Sequence, residues 1–185
     1  MENRRERLKE LVEQRSVLHG EFTLSSGMKS SYYFDGRRVT HDPEGIALIG
    51  EVFHDLVKAH DVEAIGGPSV AANPIITAVQ VTSFLRNQPL GGFFVRSQQK
   101  THGTEQQIEG NLPQTPGARV ALVDDTMTTG GSLEKAIEAV EAAGCKVGVV
   151  VVLVDRQQGG AEKLRAKGYH VHAVFLADGD KIQVA

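Results

Sequence analysis

The sequence holds a single cysteine, Cys145, which excludes an internal disulfide framework and any cage of thiolates around a metal. A reducing, cytoplasmic setting is the expectation that follows. Just behind Gly144, this cysteine reads as a small buried hydrophobe. Long apolar runs are missing as well. The longest, Val147 to Val154 with Gly148 included, falls far short of the ~20 residues that a membrane-spanning helix needs. The opening stretch MENRRERLKE is charged and has no apolar run behind it, so it does not read as a secretory signal. Positive charge is not in excess either. The formal net charge of −3 argues against a surface built to bind nucleic acid. There is no internal repeat and no low-complexity segment. What remains, at 185 residues, is the composition of one globular domain long enough to bury a proper core.

Hydrophobic periodicity divides the chain into elements. Leu8, Leu11 and Val12 recur at helical spacing within 4–17. EFTLSSGMKSSYYFD then reads as two short strands around a Ser-Gly turn. Asp42 is a good N-cap and Pro43 suits the first helical position. The helix they open runs to about His60 and carries Ile46, Ile49, Phe53, Leu56 and Val57 along one stripe. From there strands and helices alternate. VEAIGG is followed by a helix over 71–86, GGFFVR by a long polar loop, and ARVALVDD by a helix over 132–143 that Gly144 closes. KVGVVVVLVDR leads to a helix over 160–167, and YHVHAVFL is the last expected strand. Strands that are apolar throughout are buried on both faces, which calls for helices on both sides of a parallel sheet. The alternating order predicts a doubly wound α/β fold. Ligands of such folds sit beyond the carboxyl ends of the strands, here near Gly66, Val95, Val123 and Val154.

One of those ends is unusual. VALVDDTMTTGGS, residues 120–132, finishes a buried-looking strand with two adjacent carboxylates, and then supplies hydroxyls and glycines that lead directly into a helix. Amides and hydroxyls gathered at a helix N-terminus form an anion site. There is no Gly-Lys-Ser/Thr, so this is not a nucleotide P-loop, and no G-x-G-x-x-G opens a dinucleotide fold. Carboxylates beside a phosphate would repel it unless the neighbouring part of the ligand offers hydroxyls or a metal ion. A ribose 5-phosphate satisfies both halves, with hydroxyls to Asp124 and Asp125 and phosphate to the loop from Thr126 to Ser132. The alternative is a capped turn with no ligand.

Four apolar residues, two acids and a Gly-rich helix start resemble the phosphoribosyl-diphosphate signature of the type I phosphoribosyltransferases. Three more segments, GEFTLSSGMKSSYYFD, FFVRSQQKTHGTEQQIEG and VDRQQGG, together with GGPSVAANPI, are similar to the orotate phosphoribosyltransferases in content and order. The resemblance covers residues 16–176. It implies the type I phosphoribosyltransferase fold: a central, mostly parallel sheet flanked by helices, with a small N-terminal hood. The single domain would divide into a helix and hood strands over 1–42, an α/β core over 43–176 and a mobile lid loop over 97–117. It further implies a homodimer with shared active sites, and Mg²⁺ carried by the diphosphate, with Asp124 and Asp125 as its possible contacts. By resemblance, phosphoribosyl diphosphate would be held by Arg96, Lys100, His102, Asp124, Asp125, Thr126, Met127, Thr128, Thr129, Gly130, Gly131 and Ser132. Of these, Lys100, His102, Asp124 and Asp125 would be catalytic. Orotate would be held by Thr128 and Arg156, whose guanidinium fork matches a planar carboxylate. Tyr33 and Phe34 would flank the base or belong to the core.

The chain departs from the family pattern at three lysine positions, which hold Ser97, Ser25 and Ala71. Lys29 is near enough in sequence to replace the second of these. Each missing cation bears on efficiency and on the identity of the base. A phosphoribosyltransferase for another base and a non-catalytic phosphoribosyl-diphosphate sensor are therefore the alternatives. His170 and His172 share one strand face, a spacing open to a metal or to a structural role.

Overall fold

The most apolar segments of the sequence become the middle of a seven-stranded sheet. In a computed structural model, which describes residues 2–23, 29–97 and 107–185, β6 (Arg119–Met127) and β7 (Lys146–Asp155) lie side by side and parallel. Successive side chains of a strand point to opposite faces, and β7 needs apolar residues on both. Val149, Val151 and Leu153 enter one core, while Val150 and Val152 enter the other.

The first core lies under α1 (Glu2–Ser16), α3 (Pro43–Val57) and α4 (Asn73–Leu85). The second lies under α5 (Gly131–Ala142) and α6 (Gly160–Ala166). Leu8, Leu11 and Val12 from α1 and Ile49, Phe53 and Val57 from α3 are buried as expected, while Ile46 and Leu56 of the expected α3 stripe are only partly buried at its edge. Asp42 caps α3 by accepting the Gly45 N–H at 2.8 Å. Cys145 is buried, donates its Sγ–H to the Pro113 carbonyl at 3.4 Å and is held above the usual thiol range by that burial.

The remaining strands are β3 (Ala64–Gly66), β4 (Gly91–Val95), β5 (Ile108–Gly110), β8 (Val171–Asp178) and β9 (Lys181–Val184). The sheet order is β5-β4-β3-β6-β7-β8-β9, parallel except at its two edges. A separate antiparallel pair, β1 (Val17–Thr23) and β2 (Lys29–Phe34), forms the hood, followed by the short helix α2 (Arg37–Thr40). The expected turn between the hood strands, with Ser25, lies outside the described residues. Among the described residues no helix is long and apolar enough to cross a membrane.

Several boundaries differ from the sequence expectation. β6 continues through Thr126 and Met127 because both still pair with β7, so the loop proper begins at Thr128. α5 starts one residue early, at Gly131. The polar loop expected over 97–117 contains β5, which pairs antiparallel with β4. The last strand is β9, beyond the expected end of the core at 176, and it folds back on β8 through Gly179 at φ 62°.

Candidate active site

The two acids stand near the carboxyl end of β6 and both are buried within the strand, Asp124 at 6% and Asp125 at 9% exposure. Asp124 lines a cavity of about 460 Å³. Asp125 turns toward the hood, where its Oδ2 lies 2.7 Å from the point that a Cβ on Gly36 would occupy. A larger residue at position 36 would press on this carboxylate, because the chain after β2 rests directly on it.

Burial pushes the Asp124 carboxyl well above the usual carboxylate range, and the neighbouring charge of Asp125 pushes it further. The Asp125 N–H, donated to Asp124 Oδ1 at 3.0 Å, pulls the other way. Asp125 is also raised, mainly by burial and then by Asp35, against the lowering effect of the Thr126 amide and of Arg37. Arg37 grips Asp35 with Nε to Oδ1 at 2.8 Å and Nη2 to Oδ2 at 3.2 Å. The segment Asp35-Gly36-Arg37 thus sets the environment of Asp125. Sequence reasoning missed it, and its only signal was a glycine between two charges directly after SSYYF.

The rest of the cavity wall is the predicted cradle. Thr126, Met127, Thr128, Thr129, Gly130, Gly131 and Ser132 all line it. Gly130 is the N-cap of α5 in the left-handed region, φ 77°, with no side chain capping the first turn. The amides that open α5 therefore have no side-chain cap, which suits an anion. The loop is supported from behind: the Gly160 N–H donates to the Thr128 carbonyl at 3.1 Å and the Arg156 N–H to the Met127 carbonyl at 2.8 Å.

Pro68, Ser69, Arg96 and Ser97 also line the cavity. The Ser69 N–H donates to the Val95 carbonyl at 2.8 Å, and Ala71 lies on the same loop. Arg96 pairs with Glu109 Oε1 at 2.9 Å across the β4–β5 hairpin. Lys100 and His102 lie outside the described residues. Arg156 follows β7 on the strand next to Asp124, but its side chain is not among those lining the cavity. Phe34 is core, whereas Tyr33 is part-exposed with its ring 5.6 Å from that of Phe22. Lys29 is bonded to Thr23 Oγ1 at 2.9 Å within the hood. Among the described residues no group of three or more His, Cys, Asp or Glu is arranged to hold a metal ion.

Comparison with known proteins agrees with this geometry. A model of the phosphoribosyl transferase domain matches residues 69–175. An orotate phosphoribosyltransferase from Nostoc sp. is 44% identical over 172 residues, covering 92% of this chain and 82% of that one. The crystal structure of Mycobacterium tuberculosis orotate phosphoribosyltransferase in complex with Fe(III) dicitrate matches with a TM-score of 0.84 at 39% identity, over 96% of this chain and 98% of that one. The structure of that enzyme with 5-phospho-alpha-D-ribosyl 1-diphosphate gives 0.79 at 36% identity, with the same coverage.

The chain belongs to the phosphoribosyltransferase family. Its branch is the orotate phosphoribosyltransferases, whose members match it over nearly its whole length.

Proposed function

We propose that the protein transfers the phosphoribosyl group of 5-phosphoribosyl 1-diphosphate to orotate, giving orotidine 5′-monophosphate and diphosphate in pyrimidine biosynthesis. The observation that carries this is the shared cavity of Asp124 and the uncapped amides at the start of α5. A carboxylate and an anion cradle in one cavity complement the hydroxyl and phosphate halves of a sugar phosphate.

In this reading the loop from Thr128 to Ser132 holds the 5-phosphate, with Thr126 and Met127 at its strand end. Asp124 and Asp125 orient the ribose hydroxyls. Arg96, Lys100 and His102 take up the negative charge of the departing diphosphate as the C1–O bond opens. Orotate, held by its carboxylate on Arg156 and by Thr128, attacks C1 from the opposite face through N1. Positioning and electrostatics supply the catalysis, with no protein nucleophile. The segment with Lys100 and His102 acts as a lid that excludes water from C1. Hard oxygen donors such as Asp124 and Asp125 fit Mg²⁺, and they would hold it together with the substrate. Bound magnesium supplies charge neutralisation at the diphosphate.

The active form is a homodimer. α4 leaves Val81, Phe84 and Leu85 exposed, at 53%, 72% and 73%, about one turn apart on the same helix face near its carboxyl end. Such an apolar patch marks an interface, and a second copy of the chain covers it. Phe84→Asp combined with Leu85→Asp is expected to give monomers in sedimentation velocity, with turnover reduced because the lid serves the neighbouring site. Dimers at unchanged stoichiometry would place the interface elsewhere. The buried free thiol of Cys145 suits a cytoplasmic location.

The direct test is orotate consumption followed by absorbance, with Mg²⁺ and phosphoribosyl diphosphate. Arg156→Ala is expected to raise the KM for orotate about 10- to 150-fold, the scale of one charged hydrogen bond, with a small change in the KM for phosphoribosyl diphosphate. An equal loss for both substrates would remove Arg156 from the base site.

A further inference from the structure

Three histidines meet at the end of the sheet away from the cavity. His60 closes the turn after α3, while His170 and His172 sit at the amino end of β8. The carboxyl end of the parallel strands carries Asp124, so this cluster is separate from the phosphoribosyl site. His60 Nε2 and His172 Nε2 are 3.1 Å apart, though 112 residues separate them in the chain. Their ring centroids lie 5.2 Å apart, and the His170 ring centroid is 5.6 Å from that of His60.

The nitrogen spacing is informative. Two imidazole nitrogens bound to one ion at ~2.0–2.1 Å stand about 2.9–3.4 Å apart at right-angled to tetrahedral geometry. In the absence of an ion, one Nε2 must carry a proton and the other accept it, so an ion would replace a single shared proton. Burial, and after it the neighbouring imidazoles, hold both His60 and His172 below the usual histidine range. Imidazole nitrogen favours zinc, copper and nickel, whereas magnesium prefers oxygen. The ion that serves the diphosphate would not compete here.

The geometry points to a binding site for a divalent transition-metal ion, chelated by His60 and His172 with His170 alongside. It is an open two-imidazole chelate completed by water, since no three ligand groups among the described residues form a closed set. Arg119 near His60, and Arg165 and Arg5 near His172, repel a dication and make binding weak and exchangeable. Occupancy would tie the end of α3 to β8 and stabilise the fold through linkage.

The test is calorimetric titration of the full-length protein with NiCl₂, in magnesium-containing buffer. One equivalent is expected to bind the wild type, and the ion should raise its melting temperature. His60→Ala and His172→Ala should each weaken binding by at least the ~10-fold that loss of even an outer-shell partner costs a metal site. Neither variant should lose phosphoribosyltransferase activity. Copper EPR on the wild type gives a readout that does not depend on the variants folding, and at least two equatorial nitrogens are expected. One nitrogen, no binding, or binding that both substitutions leave unchanged would overturn the assignment.

Discussion

Asp124→Asn is expected to give a protein that melts at a higher temperature and turns over far more slowly. Burial holds the Asp124 carboxyl well above the value of 3.8 that it has in the unfolded chain. The folded state therefore keeps a proton that the unfolded state releases, and stability falls as pH climbs from about 3.8 through the raised folded value. An uncharged isostere removes that loss. For a chain of this length each kcal/mol moves the midpoint by ~2–4 °C, so a rise of that order is expected at neutral pH. The gain shrinks as pH drops below the unfolded value, where both states are protonated. Activity is expected to move the opposite way, because in the proposed mechanism the carboxylate that destabilises the fold also orients the ribose. Loss of one preorganised polar contact in a closed site costs ~10²–10³ in kcat. Thermal melts at two pH values together with initial rates check both halves. A lower melting temperature at neutral pH with activity retained would contradict the role and the electrostatics at once.

Gly160→Ala is expected to disturb the proposed phosphate cradle from behind. A Cβ at position 160 would stand 2.7 Å from the Thr128 carbonyl oxygen and 2.9 Å from the Gly130 nitrogen, both backbone atoms of the loop. Neither can rotate away, so the loop must shift. A displacement of about 1 Å in a positioning element can cost ~10²-fold. We therefore expect kcat/KM for phosphoribosyl diphosphate to fall by about that factor, with the KM for orotate changing less. Gly168→Ala is the control. Gly168 has φ +91° but nothing within 4 Å of its Cβ position, so that substitution strains the backbone and lowers stability while leaving the kinetics intact. Equal kinetics for Gly160→Ala and the wild type would mean that the loop does not hold the phosphate.

Much of this architecture was legible from local pattern. A strand apolar at every position, as in Val149 to Val154, has to be covered on both sides, and the two cores above and below β7 are the result. The cap at Asp42 and the stripe of Ile49, Phe53 and Val57 follow from spacing alone. The cradle was legible because its chemistry is contiguous in sequence, from Asp124 to Ser132. What escaped was short or distant. β5 and β9 are edge strands of three and four residues, and only their partners β4 and β8 make them strands. The packing of Gly36 on Asp125 joins residues far apart in the chain, as does the approach of His60 to His172. Periodicity carries no information about either. The extension of β6 through Met127 was hidden because threonines and glycines mark a loop in isolation, while pairing with β7 keeps the first two positions in the sheet.

The most direct measurement is a crystal structure with ribose 5-phosphate bound. The account predicts the phosphoryl group within hydrogen-bonding distance of the backbone amides from Thr129 to Ser132, and the ribose hydroxyls facing the carboxylates of Asp124 and Asp125. A sugar phosphate bound away from this cradle, or bound with its phosphate toward Arg96 and its hydroxyls remote from the acids, would contradict it.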